Sequence, residues 1–148
     1  MIQEKPDLRG KRLASLDYGR KRVGFAVCDE LHITVTPRKF YDITDENFWK
    51  HLLTDIIVER VSAIIVGVPY RHDNIQTEMI LEIKQFIEEV KVKTELPVYE
   101  QDEAFSSKEA MGTMINIGRK KKKRAQKGSA DMVAAAVILR DFLQELEG

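Results

Sequence analysis

Three acidic positions in this sequence could do chemistry together. Asp17 ends an apolar run, LASLD, and stands just before a glycine turn at Gly19. Asp102 and Glu103 form an acidic pair directly after a second short apolar stretch. Asp131 opens an alanine-rich segment, with Ala135, Ile138 and Phe142 following on one helical face. Each position also has an ordinary explanation. Asp-x-Gly is a common turn, a solvated loop accounts for the pair, and an acid in the first helical turn complements the helix dipole. Asp131, however, lies on the inward face, and a buried carboxylate without a partner is costly. Carboxylates converging on one crevice suit Mg²⁺ or Mn²⁺, which take oxygen ligands. Such ions support cleavage of phosphodiester bonds. The expected metal ligands are Asp17, Asp131 and at least one of the acidic pair, with Glu103 put first and the choice between it and Asp102 left open; the expected catalytic set is Asp17, Asp102, Glu103 and Asp131.

The elements that must position these residues are legible from periodicity. Residues 1–11 are polar, contain Pro6 and Gly10, and read as a lead-in arm. Leu13–Asp17 reads as a first strand. Val23, Phe25 and Val27 alternate with Gly24 and Ala26 as a second, and the short gap predicts a hairpin. A third strand falls within Ile33–Tyr41, with Pro37 marking an edge or bulge. Phe48, Trp49, Leu52, Leu53, Ile56 and Ile57 give an amphipathic helix. Ala63–Val68 is a continuous apolar run, as in a strand buried on both faces, and Pro69 ends it. Ile75, Met79, Ile80, Ile83, Phe86, Ile87 and Val90 predict a second helix, and Leu96–Gln101 a fifth strand. A third helix opens at Ser106, with Glu109 completing a capping box and Gly118 as its stop. The last helix runs from near Ser129 to about Leu146. The order β-β-β-α-β-α-β-α-α implies an α/β fold: a mixed five-stranded sheet with helices on both faces. In an open sheet of this kind the functional crevice lies beyond the carboxyl ends of the strands, where Asp17 and the acidic pair fall.

Composition narrows the function classes. The 148 residues suit one domain spanning 1–148. Apolar residues at 43% and charged residues at 32% exclude a disordered chain. Lys plus Arg and Asp plus Glu both number 24, so net charge points to no partner and only local charge can. The single cysteine, Cys28, excludes a disulfide framework and a thiolate zinc site, and fits a small buried filler. The first residues carry no apolar signal region, and no window reaches a membrane span, so a soluble cytoplasmic protein is expected. One local concentration of charge stands out: Arg119, Lys120, Lys121, Lys122, Lys123, Arg124 and Lys127, directly before the helix of Asp131. A solubilising loop explains it, but its position favours binding of a nucleic-acid backbone, without base specificity. His72 in the RHDN loop is a weaker candidate, and Ser106 is accounted for as a helix cap.

Four segments in this order, LDYGRKRVGFAV, IIVGVP, QDEAFSSKEA and KGSADMVAAAVIL, resemble the YqgF family of RuvX- or RuvC-related proteins. The resemblance covers about residues 12–146. It implies a ribonuclease H-like fold and a nuclease linked with maturation of the 5′ end of pre-16S ribosomal RNA, or a Holliday junction resolvase. Asp17 matches the family's first-strand aspartate, Arg22 and Gly24 its hairpin Arg and Gly, Asp102 and Glu103 the start of its Asp-Glu-Arg motif, and Asp131 the aspartate opening the final helix. Arg22 joins the basic run as an expected nucleic-acid contact. Two positions depart from the pattern. Ala104 stands where the family has Arg, and Asn74 where it has Gly after Asp73. The expected function is a metal-dependent nuclease acting on structured RNA, with branched DNA possible, as a monomer or weak homodimer. The missing Arg at 104 favours the alternative of a non-catalytic RNA-binding assembly factor. An actin-like ATPase also uses an Asp-x-Gly hairpin, but that fold needs two such domains and this chain is too short.

Overall fold

The structure, a computed structural model, describes residues 6–70, 77–103 and 129–147. The expected helix at Ser106, the basic run at 119–127, His72, Asn74 and Ala104 lie outside them. Five strands, β1 (Leu13–Tyr18), β2 (Arg22–Cys28), β3 (Val35–Asp42), β4 (Ala63–Val68) and β5 (Val98–Asp102), form one sheet in the order β3-β2-β1-β4-β5. The first three make an antiparallel meander, whereas β1, β4 and β5 run parallel. Helices α1 (Phe48–Val58) and α2 (Thr77–Thr94) make the crossovers, and α3 (Ser129–Glu147) follows.

The pleat divides the molecule into two cores. Ala14, Leu16, Ile64, Val66 and Val68 point to the side where Phe48, Leu52 and Ile56 of α1 meet Ile83, Phe86, Ile87 and Val90 of α2. Leu13, Ala63 and Ile65 point to the other side, against Ile138, Leu139, Phe142 and Leu143 of α3. β4 is buried along its whole length, as its unbroken apolar run requires. Each fully buried Leu or Ile contributes about 1.5–3 kcal/mol. An exposed ion pair such as Lys91–Glu88 contributes at most about 1 kcal/mol, so the two cores hold the sheet.

Pro37 faces Ala26 next to a register shift between Phe25 and Ala26, on edge strand β3, so the expected edge and bulge coincide. Two expectations need correction. Ile57 is 75% exposed, because the buried stripe of α1 is the narrow i, i+4, i+8 row of Phe48, Leu52 and Ile56. The lead-in arm is also more than polar chain: Leu8 is buried in the α3-side core. Cys28 is buried in β2, and burial pushes its thiol pKa up. Among the described residues no helix is long and apolar enough to cross a membrane.

Candidate active site

Asp17 sits one residue from the end of the central strand, directly opposite Gly24 of β2. Side chains directly opposite in an antiparallel pair share a face, so Asp17 faces wherever a side chain at 24 would face. A Cβ at position 24 would lie 2.0 Å from the backbone oxygen of Asp131. The first turn of α3 therefore rests on the bare backbone of β2, beside Asp17, and only glycine permits this approach. Two residues back, Ser15 is fully buried and its hydroxyl donates to the carbonyl of Ala135 in α3. That bond anchors α3 on the same face one turn further along.

The opposite flank of Asp17 is also built on glycine. Leu16 pairs with Val66 in the parallel β1–β4 register, which brings Gly67 alongside the end of β1. A Cβ at Gly67 would lie 2.5 Å from Cδ1 of Ile138 and 3.6 Å from Oε2 of Glu103. Glu103 follows β5, and its amide donates to the carbonyl of Val68 at 3.0 Å. Alternation along β5 then separates the acidic pair. Glu100 bonds Lys84 of α2, and Gln101 bonds Glu145 of α3. The pleat thus puts Asp102 on the α2 face with Glu100, and Glu103 on the α3 face with Gln101 and Asp17. Of the four expected catalytic acids, the fold brings Asp17, Glu103 and Asp131 to one face and leaves Asp102 on the other.

The electrostatics follow from that grouping. Asp17 is packed deeply among protein atoms while part of its surface still reaches solvent. Burial raises its pKa well above the ordinary carboxylate value, and the charges of Glu103 and Asp131 raise it further. Asp131, an inward-facing acid expected to need a partner, accepts a charge-assisted bond from Nε of Arg22 at 3.0 Å. Arg22 therefore contacts the site rather than pointing away toward a separate binding surface. The two groups whose charges act on Asp17, Glu103 and Asp131, are carboxylates, the oxygen donors that a hard divalent cation prefers. Among the described residues no three His, Cys, Asp or Glu side chains are drawn into a ligating cluster. Sequence reasoning missed Ser15 and Gly67. Both carried a signal: a hydroxyl at an inward position two residues before Asp17, and a glycine inside an otherwise β-branched strand.

A family profile described as "RuvX: Holliday junction resolvase" matches residues 11–145. A relative from Christiangramia forsetii, named "Putative pre-16S rRNA nuclease", is 36% identical, spanning 90% of this chain and 98% of its own. One of the same name from Nitratidesulfovibrio vulgaris is 36% identical over 86% of this chain and 89% of its own. Among solved structures, Thermus thermophilus RuvC bound to a Holliday junction substrate superposes with a TM-score of 0.58 at 15% identity, covering 91% of this chain and 96% of RuvC. A second T. thermophilus RuvC structure gives 0.55 at 14% identity, with 90% and 96% covered. The profile spans most of the sequence and the mixed five-stranded sheet superposes on RuvC: the chain belongs to the RuvX family and has the ribonuclease H-like fold of RuvC.

Proposed function

We propose that this protein is a divalent-metal-dependent nuclease that hydrolyses phosphodiester bonds in structured RNA, in processing of the 5′ end of pre-16S rRNA. One observation carries the reading. In a chain of the RuvX family, Asp17 lies one residue from the end of the central strand, on the face where Glu103 and the first turn of α3, with Asp131, meet the sheet. The name shared by the relatives supports RNA as the substrate.

Asp17, Glu103 and Asp131 would hold Mg²⁺ or Mn²⁺. When bound, such an ion supplies Lewis acidity at the phosphodiester. Gly24 lets the backbone of Asp131 and Gly67 lets the side chain of Ile138 approach the sheet on either side of Asp17, which seats α3 on the face that Asp17 and Glu103 share. Arg22 sits beside Asp131 with a guanidinium that matches the geometry of a phosphate. Asp102, on the far face, acts through the conformation of the β5 end and not at the reacting atoms. Arg119, Lys120, Lys121, Lys122, Lys123, Arg124 and Lys127, outside the described residues, supply charge for backbone contacts. Action on pre-rRNA would be carried out in the cytoplasm, where the protein is proposed to work.

The family description favours a second reading, cleavage of branched DNA by the same carboxylates. Labelled pre-16S RNA fragments and a four-way DNA junction, incubated side by side with Mg²⁺, Mn²⁺ or chelator, separate the two. Metal-dependent cutting of the RNA alone supports the main reading. Cutting of the junction alone replaces it with the second, and no cutting of either removes both.

A further inference from the structure

Asp131 is held in two different ways. Its backbone is fixed, because the oxygen of residue 131 rests against Gly24 and leaves no room for a Cβ there. The helix behind it is pinned by the Ser15–Ala135 bond. Among the described residues its carboxylate is held by Arg22, the first residue of β2, through a 3.0 Å contact between groups 34% and 30% exposed. A change of partner at Asp131 therefore needs rotation of one side chain and no movement of α3. Arg22 has its own backbone anchored: its carbonyl accepts the amide of Gly19 at 2.9 Å, and the residue pairs with Asp42 of β3. The guanidinium is the end without a backbone anchor. An ion pair with this much access to water is weakly stabilising. That is enough to set a rotamer and too little to withstand a divalent cation attracted by three carboxylates.

We propose that Arg22 is a resident counter-ion: it occupies the Asp131 carboxylate in the ion-free protein and gives it up when a divalent cation binds, freeing its guanidinium for a substrate phosphate. The proposal rests on the nuclease reading of the site and adds how the site is kept before loading. It accounts for two observations together. Asp131 sits beside Asp17 and Glu103, yet the three do not form a ligating cluster. The arginine nearest the candidate metal site is engaged with an acid of that site. It also orders the events: with Nε held by Asp131 the guanidinium is turned toward that acid, so binding of the ion precedes its full engagement with phosphate. The cost is a reduced apparent ion affinity, because the competent arrangement is only a fraction of the population.

A double-mutant cycle on thermal stability tests this without any cleavage assay. Wild type, Arg22→Gln, Asp131→Asn and the double variant are melted in chelator and again in saturating Mg²⁺. The two losses in melting temperature should be non-additive in chelator and additive in Mg²⁺. Arg22→Gln should bind Mg²⁺ roughly two- to fivefold more tightly than wild type, the factor that corresponds to the strength of an exposed pair. The wild-type protein gives an independent readout by NMR. The Arg22 Nε–Hε signal, identified by its loss in Arg22→Gln, should shift and exchange faster with solvent when Mg²⁺ is added. Coupling that is absent in chelator overturns the proposal. So does coupling that survives Mg²⁺ while the ion still raises the wild-type melting temperature, and in that case the metal site itself stands. An ion that stabilises neither wild type nor Arg22→Gln removes the metal reading and the proposal with it.

Discussion

At the scale of single residues, Asp17 is the costly one. Its carboxyl is buried beside two other acids, so ionising it in the ion-free protein works against folding. The sign is definite. With the native pKa raised, the folded protein keeps its proton at pH values where the unfolded chain has lost it. Stability from this group is therefore full below the ordinary aspartate pKa and is lost as pH rises through the native one. Asp17→Asn does not titrate. In chelator the variant should become more stable than wild type as pH climbs from about 4 to about 8, read by urea unfolding at each pH. A wild type that gains on the variant over that range would mean the carboxylate is already compensated. Legibility at this scale was uneven. Asp17 announced itself by ending an apolar strand, and Asp131 by facing inward. The partner of Asp131 did not, because Arg22 is 109 positions away in sequence and periodicity does not say which distant groups meet.

Elements turn those residues into a site, chiefly through the seating of α3 on the sheet. With a Cβ at 24 only 2.0 Å from a backbone oxygen, Gly24→Ala must lift the first turn of α3 and carry Asp131 with it. Overpacking of this kind costs about 1–3 kcal/mol. The expected outcome is a lower melting temperature in a protein that still folds, together with lost Mg²⁺ stabilisation. Unchanged ion binding would show that Asp131 is dispensable for it. The strands and helices were mostly readable in advance. The unbroken run of β4, the alternation in β2 and the proline of β3 each left one reasonable assignment. β5 shows the limit. Its end was expected at Gln101 and falls at Asp102, and nothing in the sequence tied its pleat to either core. A one-residue step exchanges the faces of a strand, so the roles of Asp102 and Glu103 became separable only when Glu100 was seen on α2 and Gln101 on α3.

For the whole molecule the question is how a chain of zero net charge engages a polyanion. The answer offered is local: seven cations between 119 and 127, next in sequence to the helix of Asp131. Neutralising Lys120, Lys121, Lys122 and Lys123 together should weaken binding to RNA and DNA alike. Loss of about four phosphate contacts should reduce the slope of log affinity against log salt by roughly 3–4. A slope that stays constant would leave these lysines a solubilising role only. The account as a whole turns on Asp17 acting in phosphodiester hydrolysis, and the most direct measurement is cleavage of a 5′-extended 16S rRNA precursor by wild type and Asp17→Asn in Mg²⁺. The account predicts that wild type cuts, that chelator stops it, and that Asp17→Asn binds the RNA with similar affinity but does not cut. A folded Asp17→Asn protein that cuts at the wild-type rate would contradict it.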